Sequence, residues 1–276
     1  MNEDLVVTPA KFRALVWRYY RAHGRHDLPW RGTTDLYRIL VSEVMLQQTQ
    51  VDRVVPLYEN FIKKFPTAKK LAVAPLAEVL KAWQGLGYNR RAKLLQQAAQ
   101  KLASVPSFGT RLNLVEGLEE LPGVGPYTAR AVAAFAFNKD GVVIETNIRT
   151  VIIQHFFVDK EKVSDIEIER VLLQVLPKGR AREWYSALMD YGAHLKRSGI
   201  SHNARTVKYT KQSKFAGSSR EVRGAILREL AEGSVGKKRL VSLFGDSRFE
   251  QSEQALEALL REKLIVQNKG RYALPY

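Results

Sequence analysis

The chain has 276 residues, which is enough for two modest domains with hydrophobic cores, and 45% of them are hydrophobic, as is typical of a globular protein. Its formal net charge of +16 indicates a polyanionic partner such as nucleic acid, the alternative being a generally basic, solvated surface. The absence of cysteine excludes disulfides, thiolate nucleophiles, iron–sulfur clusters and cysteine-based zinc sites.

Helical periodicity dominates residues 1–195, over which we predict an all-α domain. The acidic start lacks the apolar stretch of a secretory signal, and no apolar run approaches a bilayer span, so we expect a cytoplasmic, nucleoid-associated protein without a membrane partner. Apolar residues recur at helical spacing from Phe12, and further helices are predicted around 36–47, from Pro75, over 89–103 and up to Phe137. The run Val142-Val143-Ile144 is the one strand candidate before residue 260.

The C-terminal third has a different pattern. Residues 196–217 are basic without helical periodicity, which fits either a solvated linker or a DNA-contacting loop; its candidate DNA-binding residues are Arg205, Lys208, Lys211 and Lys214. Residues 218–276 carry three helical stripes and a hairpin around Asn268-Lys269-Gly270. We therefore predict a small winged-helix-like module that binds DNA or a protein.

A tight turn at Leu121-Pro122-Gly123-Val124-Gly125 precedes an apolar helix containing Thr128. Its glycines allow a sharp turn and a close backbone approach, and its N–H groups can bind a DNA phosphate without reading sequence. The alternative is an ordinary turn between two helices. Its backbone carbonyls also suit a monovalent cation, but nothing favours one, and we predict neither metal nor cofactor.

Two carboxylates are candidate catalysts. Glu43 lies among apolar residues just before Gln47-Gln48-Thr49, where desolvation would raise its pKa and make it a general acid. Glu145 follows the apolar run 142–144. Glycosidic cleavage commonly uses two carboxyl groups, so the pair is typical of a site that cleaves a glycosidic bond. Each carboxylate taken separately also fits a surface position.

Taken together, these motifs resemble a known family. Leu28-Pro29-Trp30-Arg31, the run 42–49, Gly85-Leu86-Gly87-Tyr88, the turn 121–128 and Ala187–Ala193 occur in the order found in A/G-specific adenine DNA glycosylases of the endonuclease III-like, helix-hairpin-helix superfamily. The resemblance covers roughly residues 10–195. It implies two helical lobes with the target base flipped between them, the N-terminal helix with 146–195 forming one lobe and about 30–145 the other.

The resemblance also implies roles for individual residues. Glu43 would protonate the purine at N7, with Glu145, Tyr127 and Asn147 completing the catalytic group. Trp30, Arg31, Leu46, Tyr88 and Asp190 would form the base pocket. The residues expected to contact DNA are Gln47, Gln48, Thr49, Leu86, Gly87, Gly123, Val124, Gly125, Thr128 and Arg149. Tyr127 stands where bifunctional relatives carry a lysine, and since a phenol forms no imine, strand cleavage is not expected.

The chain departs from this family at four places. Glu145 stands where the family has Asp, and its extra methylene would displace the carboxylate by roughly an ångström. Thr150 replaces a basic residue, and the four-cysteine cluster motif expected after Ala193 is missing. The segment 219–276 is too short and differently patterned for the Nudix-like domain that reads 8-oxoguanine.

We therefore expect a monomeric, monofunctional DNA glycosylase of base excision repair that binds double-stranded DNA and hydrolyses adenine opposite 8-oxoguanine or guanine. One alternative is excision of another base, either 8-oxoguanine itself or thymine or uracil opposite guanine. Another is a DNA-binding protein that has lost catalysis.

Overall fold

The computed structural model describes residues 8–104, 115–207 and 214–275. The chain divides into two compact units, one containing 8–39, 115–119 and 124–207, and the other 40–104, 120–123 and 214–275. No helix in these ranges is long and apolar enough to cross a membrane. The predicted lobe and module boundaries stay predictions.

The first unit is built from helices around an aromatic-rich core. Its helices are α1 (Pro9–His23), the start of α2 (Leu36–Leu46), α7 (Val115–Glu119), α8 (Pro126–Phe137), α9 (Thr146–Phe156), α10 (Asp165–Val175) and α11 (Ala181–Arg197). Phe12 and Val16 of α1 pack with Ile152 of α9 and with Trp184 and Tyr185 of α11, all fully buried. The predicted helical domain is confirmed over these residues.

The strand candidate at 142–144 forms no strand, and residues 138–145 have no regular secondary structure. Val142 and Val143 are nevertheless buried in the core of the first unit. Their apolar character therefore reflects burial of a loop and not sheet pairing, which a short apolar run cannot distinguish.

The second unit joins two sets of helices. The rest of α2 is followed by α3 (Val51–Lys64), α4 (Ala68–Ala72), α5 (Leu76–Ala82) and α6 (Arg90–Ser104). The C-terminal set comprises α12 (Ser219–Glu232), α13 (Lys237–Val241) and α14 (Phe249–Arg261), with strands β1 (Val235–Gly236), β2 (Val266–Asn268) and β3 (Arg271–Ala273). The three predicted helices and the hairpin are present, and β1 adds a further antiparallel strand in the order β1-β3-β2.

We call residues 214–275 the C-terminal module. It is fastened to the helices of its own unit, since α12 packs against α5 and the Ala77 N–H donates to the Pro275 carbonyl at 2.9 Å. The Lys93 ammonium donates to the Glu262 carbonyl at 2.7 Å. The module is therefore an integral part of the second unit, and not an appendage on a linker.

Candidate active site

Glu43 lies near the C-terminal end of α2 and is 7% exposed. Ser42 before it and Val44 and Met45 after it are buried as well. A carboxyl group rarely lies this deep among apolar side chains unless it is paired or hydrogen-bonded, because burial penalises its charged form. The predicted burial of Glu43 is confirmed, while its catalytic role is a proposal.

Glu145 is the N-cap of α9, and its carboxylate folds back onto the first turn of that helix. Its Oε1 accepts hydrogen bonds from the backbone N–H groups of Asn147 and Ile148, at 2.7 and 2.9 Å. Its Oε2 accepts one from the hydroxyl of Thr146 at 3.2 Å. The extra methylene is thus absorbed by a carboxylate anchored at a helix N-terminus, where the helix dipole favours negative charge.

A lysine also contacts the threonine whose hydroxyl donates to the Glu145 carboxylate. Lys196 of α11 donates to the Thr146 hydroxyl at 3.0 Å. Desolvation lowers the pKa of the Lys196 ammonium, while the nearby charge of Glu145 acts in the opposite direction. The orientation of the Glu145 carboxylate therefore depends on groups from both α9 and α11, which the local sequence does not reveal.

A close helix contact holds Asn147 in place. A Cβ built on Gly192 of α11 would lie 2.4 Å from the Asn147 carbonyl oxygen, so only glycine lets the two backbones approach this closely. Arg149, predicted to bind DNA, forms a two-point ion pair with Asp165 at 3.0 Å. This pair gives Arg149 a local structural role besides the predicted one.

Arg31 and Asp190, both predicted to contact the target base, bind each other. The Arg31 guanidinium makes a two-point contact with the Asp190 carboxylate at 2.8 and 2.9 Å, and Arg25 adds its guanidinium and its backbone N–H. Asp190 is 2% exposed. Desolvation would raise the pKa of this carboxyl, but the hydrogen bonds and charge of Arg31, together with Arg25, lower it overall. Arg31 and Asp190 therefore form a buried ion pair, in which both Asp190 oxygens already accept hydrogen bonds.

The remaining predicted base-pocket and hairpin residues differ in exposure. Trp30 is buried and Leu46 is half-buried, whereas Tyr127, in the first turn of α8, is 37% exposed. Thr128 and Leu86 are 3% and 5% exposed, which suits packing better than the predicted direct DNA contact. DNA contact by Thr128 and Leu86 stays a prediction.

The two glycines of the 121–125 turn differ in backbone conformation and in the space around them. Gly123 has φ +79°, and a Cβ there would lie 2.8 Å from Cβ of Leu94. Gly125 is the N-cap of α8 with φ −93°, and nothing lies near its Cβ position. Both glycines are exposed and Val124 is buried. Only Gly123 needs the conformational freedom that we assigned to both.

The basic segment is only partly described. The Arg205 guanidinium donates to the carbonyls of Phe157, Val158 and Lys160, which gives it a loop-holding role in the first unit. Lys214 is exposed, and Lys208 and Lys211 lie outside the described residues. DNA binding by these four residues stays a prediction.

Gln48 and Tyr88 share an uncommon backbone conformation. Their φ angles are +56° and +46°, in the left-handed region that non-glycine residues rarely adopt. Residues held this way cluster at functional sites when the surrounding structure enforces them. Gln48 is exposed, with Gln47 and Thr49 half-buried beside it, and Gly87 is half-buried before Tyr88.

Arg91 of α6 holds both of these backbones and was missed in the sequence. Its guanidinium donates to the Gln47 carbonyl at 2.7 Å and to the Gly87 carbonyl at 3.2 Å, the groups directly before Gln48 and Tyr88. It also reaches the carbonyls of Val44 and Leu86. Burial lowers the pKa of Arg91 to about 10. The only signal in the sequence was the basic character of α6, which did not single out this residue.

Beside these residues lies a pocket of about 400 Å³. Its lining, all from the second unit, comprises Gln47, Gln48, Tyr88, Arg90, Arg91, Leu94 and Glu262. Tyr88, predicted to contact the excised base, thus shares a pocket with Gln47 and Gln48, which are predicted to contact DNA. Among the described residues, no group of three His, Asp or Glu side chains is arranged to hold a metal ion.

Replacing Arg91 by Gln should destabilise the protein, because carbonyls of α2 and of the 85–88 turn would lose a buried charged donor. We expect a loss of about 2–4 kcal/mol in the free energy of unfolding. Urea denaturation followed by circular dichroism measures it. The neighbouring exposed Arg90, replaced by Gln, is the matched control, and an equal, small effect of both substitutions would show that Arg91 has no such structural role.

Comparisons with known proteins agree with these features. Residues 41–178 match the model of the HhH-GPD superfamily base excision DNA repair proteins. The chain is similar to the adenine DNA glycosylase of Mycolicibacterium smegmatis, at 37% identity over 91% of this chain and 92% of that protein. It is also similar to that of Mycobacterium tuberculosis, at 36% identity over 95% of this chain and 92% of that protein.

Solved structures agree at the level of the fold. A thermostable thymine-DNA glycosylase matches with a TM-score of 0.56 and 26% identity, over 67% of this chain and 86% of that chain. A trapped endonuclease III–DNA covalent intermediate matches with a TM-score of 0.54 and 20% identity, over 70% of this chain and 87% of that chain. The chain therefore belongs to the HhH-GPD superfamily of base excision DNA repair proteins and, within it, to the adenine DNA glycosylase family.

Proposed function

We propose that this chain is a monofunctional glycosylase that removes adenine paired with 8-oxoguanine or guanine in double-stranded DNA. The observation that carries the proposal is the buried Glu43 on α2, in a chain 37% identical to an adenine DNA glycosylase over 91% of its length. The net charge of +16 supports a polyanionic substrate.

In this proposal, the Glu43 carboxylic acid donates its proton to N7 of adenine and weakens the bond to the sugar. As the base departs, positive charge develops on the deoxyribose, and the anchored Glu145 carboxylate stabilises it. Glu43 then removes a proton from the attacking water. Tyr127 offers a phenol and no amine, so the product is an abasic site in an intact strand.

The match to a thymine-DNA glycosylase supports a second candidate, excision of thymine or uracil opposite guanine. Gln47-Gln48-Thr49 favours adenine, because the thymine-mismatch branch tends to carry basic residues there. Single-turnover excision on duplexes carrying A:8-oxoG, A:G, 8-oxoG:C, T:G and U:G separates the candidates. We expect activity on the two adenine duplexes, and preferred cleavage of T:G or U:G would favour the second candidate.

DNA affinity should fall steeply with salt, because bound lysines release counterions from the phosphates. Replacing Lys208, Lys211 and Lys214 together by Gln should reduce the slope of log K against log salt by about 2–3, from roughly 0.9 per lost phosphate contact. Arg205 is left intact because it holds the 157–160 carbonyls. Fluorescence anisotropy measures the slope.

The control for this triple variant removes the same charge from exposed positions elsewhere, at Lys69, Lys70 and Lys238. A smaller change in slope for the control supports a DNA-contacting segment. Equal slopes for the two triple variants would favour the interpretation of residues 196–217 as a solvated linker.

A further inference from the structure

Arg220 connects the C-terminal module to Tyr88. It lies in the first turn of α12, and its guanidinium carbon is 5.4 Å from the centre of the Tyr88 ring. One of its nitrogens donates to the Tyr88 hydroxyl at 3.3 Å. Stacking and hydrogen bonding together restrict a ring more than either contact alone, because the planar guanidinium defines both distance and direction.

Tyr88 is thus contacted by two arginines from segments that are far apart in the sequence. The Arg91 guanidinium carbon of α6 also lies 5.5 Å from the centre of its ring. Its backbone is fixed in the left-handed region, with Arg91 bonded to the preceding carbonyl. Arg91 therefore holds the backbone of Tyr88, while Arg220, 132 residues after Tyr88 in the chain, contacts both the ring face and the hydroxyl.

The helix that carries Arg220 is held in place by several contacts. The C-terminal module is tied to α5 and α6 through the Ala77–Pro275 and Lys93–Glu262 backbone contacts described above. Glu262 also forms a two-point ion pair with Arg223 of α12, at 2.9 and 2.6 Å. Arg223 lies one turn after Arg220, so the helix that carries Arg220 is fixed next to the pocket that Glu262 lines.

We propose that Arg220 is a positioning residue through which the C-terminal module orients Tyr88 and so tunes discrimination for the base opposite the excised adenine. The inference rests on the proposed function. Tyr88 shares its pocket with Gln47 and the exposed, left-handed Gln48. The family resemblance implies that Gln48 probes the hole that the flipped base leaves in the duplex, which lies next to the base that had paired with it. Orientation of a ring affects selective contacts with bases more than it affects the general attraction between charges and phosphates.

The test compares Arg220→Ala with Arg228→Ala, which removes the same charge from an exposed position of the same helix. The readout is the ratio of single-turnover excision rates on A:8-oxoG and A:G duplexes. We expect Arg228→Ala to keep the wild-type ratio and Arg220→Ala to lower it by about fivefold to tenfold, the usual size of a coupling between contacting residues. Arg220→Lys keeps the charge without the planar group, so it should keep DNA affinity near the wild-type value but not restore the ratio.

A double variant shows whether Arg220 acts through Tyr88. If it does, adding Arg220→Ala to Tyr88→Ala leaves the ratio of the single Tyr88 variant unchanged. Additive effects, or a ratio in Arg220→Ala equal to that of Arg228→Ala, would overturn the inference while adenine excision by the wild type persists. A wild type that releases no adenine from any duplex would overturn the proposed function instead.

Discussion

Replacing Glu43 by Gln is expected to slow adenine release by at least about 10²-fold, the usual size of a general-acid contribution. The amide keeps the shape of the side chain in its buried position on α2 but has no acidic proton to donate to N7. Single-turnover kinetics on an A:8-oxoG duplex measure the effect. DNA affinity should stay near the wild-type value, because the substitution removes no positive charge.

The matched control for Glu43 is Glu59→Gln on the exposed face of α3, which makes the same chemical substitution within the same unit. We expect it to excise at the wild-type rate. Near-normal excision by Glu43→Gln would contradict the assignment of Glu43 as the acid, and slow excision by both variants would point to a general effect of charge on binding.

Replacing Glu145 by Gln is expected to slow excision by about 10²- to 10³-fold, as when one charge-stabilising group is removed from a preorganised site. The Gln oxygen can still accept from the N–H groups of Asn147 and Ile148, so α9 keeps its cap while the counter-charge is lost. Glu145→Ala loses both and should be at least as slow. Glu145→Asp restores the residue typical of the family and should be partly active or faster.

Stability measurements separate catalysis from capping at this position. Loss of an N-cap costs about 1 kcal/mol of stability, so Glu145→Ala should be less stable than Glu145→Gln. If Glu145 only caps the helix, Glu145→Gln would excise at the wild-type rate at temperatures well below its melting point. That outcome would require another group to stabilise the sugar cation.

The sequence predicted local structure well where a short segment carried its own signal. Helix α5 begins after Pro75, and α2 lies within the predicted range 36–47. The stripes of α12–α14 and the final hairpin were equally readable from periodicity. Strand β1 was not, because two residues paired with a distant strand show no alternation.

Partners far apart in sequence were less predictable. The sequence indicated that Arg31 and Asp190 both contact the base, but it did not indicate that they form an ion pair with each other. Arg91 received no role, because its importance comes from carbonyls on α2 and on the 85–88 turn. The contact of Arg220 with Tyr88 spans 132 residues, and a single sequence carries no signal for such a contact.

The central claim is that the chain hydrolyses adenine from a mispair by acid–base catalysis from Glu43, without cutting the strand. The most direct measurement quantifies free base by mass spectrometry, and strand integrity on a denaturing gel, after incubation of the wild type with an A:8-oxoG duplex. We expect stoichiometric free adenine and a full-length strand that breaks only after alkali treatment. Release of a different base, or strand cleavage without alkali, would contradict it.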